Sequence, residues 1–74
     1  MGRLAGFKYR DVIRKLRALG FEFKRQAKGS HEIWFNRDTQ AAVSIPRHNT
    51  PLREGTLHSI LNDAKIDIDK FLDS

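Results

Sequence analysis

Phe21-Glu22-Phe23-Lys24-Arg25-Gln26-Ala27-Lys28-Gly29-Ser30-His31-Glu32-Ile33-Trp34-Phe35 is the stretch that decides the fold of this chain. Its first four residues alternate apolar and charged, the period of a half-buried strand, which runs to about Gln26. Lys28-Gly29-Ser30 reads as a turn, built on a residue that adopts positive φ without steric cost. His31 to Phe35 is then a second strand, Asn36 to Gln40 a polar connection, and Ala41 to Ile45 a third strand ended by Pro46. Connections this short predict an antiparallel meander.

Helical periodicity flanks the meander on both sides. Between Lys8 and Leu19 the apolar residues are Tyr9, Val12, Ile13, Leu16 and Leu19, with Arg10, Arg14, Lys15 and Arg17 expected on the opposite face. Gly20 is the expected stop. After the third strand, Arg47-His48-Asn49 is a loop, Thr50 is the expected N-cap and Pro51 the first helical residue. Leu57, Ile60, Leu61 and Ala64 recur at i, i+3, i+4 and i+7, giving a second amphipathic helix. Asp67 to Leu72 adds a short capped turn through Ile68, Phe71 and Leu72. The order is α-β-β-β-α, an α+β domain whose three-stranded antiparallel sheet carries two helices packed on one face.

Strand parity places His31, Ile33 and Phe35 on one face and Glu32 and Trp34 on the other. Positions 33 to 35 are all apolar, so two assignments stay open. Either Ile33 and Phe35 meet the helices, with His31 at the rim, or Trp34 is buried and His31 is fully exposed. Trp34 is correspondingly either core or a platform for a stacked base. Phe21, Phe23, Val43 and Ile45 are expected in the core.

A chain of 74 residues forms one domain. Fourteen Lys and Arg against nine Asp and Glu give a net charge of +5, which favours a polyanionic partner such as nucleic acid. There are no cysteines, which excludes disulfides and thiolate metal sites. No apolar run approaches the roughly 20 residues of a bilayer span. Met1 to Gly6 lacks the apolar core of a secretory signal, and position 6 lacks the Ser or Thr of a myristoylation motif. A cytoplasmic protein without membrane contact is expected.

One residue suits chemistry best. His31 follows a turn glycine and sits among Lys24, Arg25, Lys28 and Ser30, while histidine exchanges a proton near neutral pH. Cleavage of an RNA phosphodiester needs a proton taken from the 2′-hydroxyl, charge stabilised on the phosphorane, and a proton given to the leaving 5′-oxygen. An imidazole serves either transfer, an effect worth about 10²–10⁴ in rate, and nearby cations serve the charge. His48, beside Arg47, reads as a phosphate or partner contact, with a second catalytic role left open. His58 lies four residues after Glu54, a helix-surface pair. The three histidines match no metal-ligand spacing, so neither metal nor cofactor is expected. On the residues alone, a lone histidine at a strand start is more often a turn or surface residue than a catalytic one.

Leu16-x-x-x-Gly20-Phe21, Arg25-Gln26-x-x-Gly29-Ser30-His31, Ile45-Pro46-x-His48 and Leu52-x-x-Gly55-Thr56-Leu57-x-x-Ile60-Leu61 together resemble the HicA (YcfA-like) toxin family. The resemblance runs from about Phe7 to Ile66, with Met1 to Gly6 as a short lead-in and Asp67 to Ser74 as a tail on one domain spanning 1–74. It implies a fold like the double-stranded RNA-binding domain and a metal-independent endoribonuclease, an mRNA interferase, neutralised by a HicB-type antitoxin. The family's Gly-Ser-His histidine maps onto His31. Lys24, Arg25, Lys28, Ser30, Arg47 and His48 are the expected RNA contacts, with single-stranded mRNA as substrate. A homo-oligomer or a toxin–antitoxin hetero-oligomer is compatible with so small a domain. The competing readings are a non-catalytic RNA-binding module and a protein-interaction domain on the same fold.

Overall fold

A computed structural model describes residues 2–74, so Met1 of the lead-in lies outside the described residues. The order is α1 (Tyr9–Ala18), β1 (Phe21–Gln26), β2 (His31–Asn36), β3 (Ala42–Pro46), α2 (Glu54–Ala64) and α3 (Ile68–Leu72). The strands form one antiparallel sheet in the order β1-β2-β3, with the helices packed against it, as the periodicity predicts. Among the described residues no helix is long and apolar enough to cross a membrane.

Helix α1 begins where the Asp11 carboxylate accepts a hydrogen bond from the Lys8 backbone N–H at 3.0 Å, relieving one unpaired donor of the first turn. It ends at Gly20, whose φ of 98° only glycine adopts cheaply. One expectation fails along its length. Lys15 is buried, and its ammonium donates to the backbone oxygens of Leu72 at 3.2 Å and Ser74 at 2.7 Å. The cation thereby meets the carbonyl end of α3, with the Phe71 ring 5.6 Å away.

The second helix also starts later than Thr50 and Pro51 predict. Arg53 is its N-cap and Glu54 its first residue. Leu52 accounts for the delay: its side chain enters the core and its N–H donates to the Phe7 carbonyl at 2.8 Å. The chain therefore stays irregular from Arg47 to Arg53, and this loop borders the candidate site.

Lead-in and tail both belong to the packed body. Leu4 and Phe71 lie in the buried core with Val12, Leu16, Trp34, Ile45 and Leu57. Phe7 meets Phe71 edge-on at 5.3 Å, Arg3 pairs with Asp69, and the Gly2 N–H donates to Glu54 at 3.1 Å. The expected turn through Ile68 to Leu72 is a short helix wedged against α1 and α2.

The sheet resolves the parity question. Glu32, Trp34 and Asn36 are buried on the helix side, while His31 is exposed and Ile33 and Phe35 are half-buried on the open side. Trp34, only 1% exposed, lies between Phe23 and Val43 in the ladder, with the Arg17 guanidinium 5.1 Å from its ring centroid. It is core, and the base-stacking alternative is overturned. Phe21 is buried as expected, but Phe23 is 49% exposed. It sits on an edge strand just before a register shift, with its ring edge-on to Trp34 at 6.0 Å.

Candidate functional site

Five linked observations fix where His31 stands. Gly29 has φ of 66°, so the β1–β2 connection turns within Ala27 to Ser30. The Ala27 N–H donates to the His31 carbonyl at 2.8 Å, and the Gln26 side-chain amide donates to the same oxygen at 2.9 Å and to the Gly29 carbonyl at 3.2 Å. Across the other ladder His31 is paired with Pro46. The Arg47 N–H then donates to the Ser30 carbonyl at 2.9 Å, extending the pairing one step past the strand. Gly29-Ser30-His31 and Pro46-Arg47-His48, 17 residues apart from His31 to His48 by numbering, are thus adjacent in space.

Ser30 and His48 also meet directly: the serine Oγ lies 2.9 Å from His48 Nε2. His31 and His48 line one cleft of about 320 Å³, whose other walls are Pro46, Thr50, Pro51, Leu52, Arg53 and Thr56. His48 also faces a second, more open hollow of about 720 Å³, lined by Lys8, Tyr9, Arg10, Asp11, Arg47 and Asn49. The imidazole of His48 therefore stands on the ridge between two concavities, and cations border both.

Arg47 is steered to the helix side. Its guanidinium lies 3.5 Å from the buried Glu32 carboxylate and 5.6 Å from the Tyr9 ring centroid. Glu32 is itself a hub, accepting from the Tyr9 hydroxyl at 2.6 Å and from the Trp34 indole N–H at 3.1 Å. A buried carboxylate is tolerable only with such partners. Burial, then the hydrogen bond to Glu32 and its charge, push the Tyr9 phenol above the ordinary tyrosine value of 10.0. The phenol therefore stays a donor at neutral pH.

Of the sequence-predicted residues, the structure joins Ser30, His31, Arg47 and His48 into one continuous surface. Lys24 and Arg25 lie on the open sheet face with His31. The register shift between Phe23 and Arg25 pairs Arg25 with Ile33, and the Lys24 ammonium sits 4.7 Å from the Phe35 ring centroid. Lys28 is exposed in the turn itself. The sequence does not announce three contributors, Arg53, Lys8 and Arg10, whereas Gln26, part of the Arg25-Gln26 motif and the expected end of β1, also clamps the turn. Arg53 is obscured because Thr50-Pro51 predicts an earlier helix start. Lys8 and Arg10 carry no local signal that they will meet a loop nearly forty residues on. Among the described residues no group of three or more His, Cys, Asp or Glu stands where it could hold a metal ion.

Residues 9–66 match the family model described as HicA toxin of bacterial toxin-antitoxin. No curated protein matches the chain.

Proposed function

This chain belongs to the HicA toxin family, a family of bacterial toxin–antitoxin systems, and from that premise we propose that it is an endoribonuclease that cleaves mRNA, with His31 transferring a proton during phosphodiester cleavage. The observation that carries the reading is the exposure of His31 in a cleft that Arg53 also lines, on a backbone fixed from both flanking strands. An exposed imidazole reaches a polynucleotide, which no enclosed cavity of this domain would admit.

The chemistry is transesterification. The ribose 2′-oxygen loses its proton and attacks phosphorus, and the bond to the 5′-oxygen breaks as that oxygen gains a proton. Products are a 2′,3′-cyclic phosphate and a 5′-hydroxyl, with no water consumed. Arg53, which lines the cleft, and Lys28, exposed in the turn, would offset the charge that grows on the phosphorane. Lys24 and Arg25 continue the positive surface along the open sheet face, where the flanking phosphates of a single strand would run.

A toxin–antitoxin partner follows from family membership. A HicB-type antitoxin covering the His31 rim and its cations would block RNA sterically, without altering the fold. The test of the nuclease reading is incubation of purified wild type and His31→Ala with mRNA in EDTA. Cleavage by wild type alone is expected, with a loss of at least about 10²-fold in the variant. Equal cleavage by both removes His31 from the reaction. Salt-sensitive binding with no cut products makes the domain a non-catalytic RNA binder.

A further inference from the structure

Two imidazoles, not one, face the candidate cleft, and the cleavage reaction needs two proton transfers. His31 and His48 line the same space of about 320 Å³, and among the residues lining it the only other ionisable group is Arg53. A guanidinium keeps its proton under all conditions a protein survives. Among the residues lining the cleft, these two rings are therefore the only side chains of a type that serves as general acid or base.

Resting on the nuclease reading above, we infer that His48 is the second catalytic residue, protonating the 5′-oxygen as it leaves while His31 takes the 2′-hydroxyl proton. The electron pair of the 2′-oxygen forms the new bond to phosphorus, and the pair of the P–O5′ bond departs with the oxygen that His48 protonates. Over one turnover His31 has gained a proton and His48 has lost one. Exchange with solvent, to which both exposed rings are open, restores the pair.

Geometry favours this role over a passive phosphate contact. A residue that merely attracts phosphate needs charge and reach, which the exposed Lys28 in the neighbouring turn already offers. His48 is held instead. Ser30 Oγ lies 2.9 Å from its Nε2, which engages that nitrogen and leaves Nδ1 as the one available to substrate. Ser30 is also the residue whose carbonyl accepts from the Arg47 N–H at 2.9 Å, so one residue ties the segments bearing both histidines. Such a tie sets the separation of the two rings, the quantity that an acid–base pair across one phosphodiester must control. The position of His48 on the ridge between the two hollows fits the same role. The leaving 5′-nucleotide would depart across it, toward Lys8, Arg10 and Arg47.

The decisive experiment changes the leaving group. An RNA oligonucleotide that wild type cuts is compared with the same oligonucleotide carrying a 5′-bridging sulfur at the cut linkage, because a thiolate leaves without being protonated. His48→Ala is expected to lose about 10²-fold or more on ordinary RNA at saturating substrate, yet cut the sulfur-linked RNA within about tenfold of wild type. His31→Ala should be slow on both. Activity on the sulfur substrate doubles as the variant's own folding control, and His48→Gln, which keeps a polar group facing Ser30, should show the same pattern. An equal deficit of both His48 variants on both substrates, a deficit that vanishes at saturating RNA, or no deficit at all overturns the assignment while leaving His31 as the base. A wild type that cuts neither substrate overturns the nuclease reading itself.

Discussion

Gly29 holds φ of 66° in the turn that delivers His31, and a Cβ there would meet no atom within 4 Å. The obstacle to any other residue is conformational, not steric contact with neighbours. Gly29→Ala is expected to lower stability by about 1–2 kcal/mol, read as a drop in the urea midpoint, with Gly29→Asn closer to wild type. Equal midpoints for all three would mean that the turn relaxes without resistance. The tight turn was legible in Lys28-Gly29-Ser30 because glycine announces positive φ. The face that His31 takes was not legible, because Ile33, Trp34 and Phe35 are all apolar and give either parity the same score. What breaks the tie is Glu32. Its carboxylate is satisfied by Trp34 two residues on and by Tyr9 and Arg47, which are distant in sequence and which no local pattern connects to it.

At the level of elements, that carboxylate links α1, β2 and the loop after β3, and its titratable partner makes the link pH-dependent. Tyr9 is raised by burial and by its bond to Glu32. A phenol whose folded-state pKa exceeds its unfolded value contributes stability that is fully present below about 10 and is lost as pH rises through the folded value. Wild type should therefore lose stability on the alkaline side more steeply than Tyr9→Phe, measured as the melting temperature from neutral pH upward. Parallel curves would detach Tyr9 from the alkaline transition. The α3 element carries a second prediction. Phe71 is fully buried against Phe7 and beneath the Lys15 ammonium, although it lies beyond the residues that match the family. Phe71→Ala is expected to cost about 3–5 kcal/mol, and a near-neutral midpoint shift would show that the tail packs loosely. The helices α1 and α2 were readable from periodicity. The start of α2 was not, because Thr50-Pro51 satisfies local capping rules that the burial of Leu52 overrides.

Across the whole molecule, seven of the fourteen Lys and Arg residues, Lys8, Arg10, Lys24, Arg25, Lys28, Arg47 and Arg53, lie on the turn, the open sheet face and the two hollows, and α1 carries Arg14, Lys15 and Arg17 besides Arg10. Lys28 stands in the turn before His31, Lys24 and Arg25 lie further along the open sheet face, Arg53 shares the His31 cleft, and Lys8, Arg10 and Arg47 line the neighbouring hollow. If RNA and the antitoxin use this one surface, charge reversal at Lys24, Arg25 or Lys28 weakens binding of both. Effects confined to a single ligand would separate the two surfaces. The composition predicted a polyanionic partner and the motifs predicted the family, but the second half of the basic rim appears only once α1 and the 47–53 loop close on each other. The central claim is that His31 cleaves transcripts, and expression of wild type beside His31→Ala, scoring growth and transcript integrity in the same cultures, tests it most directly. Growth arrest with fragmented mRNA for wild type, and neither for an equally abundant, folded variant, is the predicted result; arrest by both proteins, or arrest by wild type with transcripts intact, would contradict it.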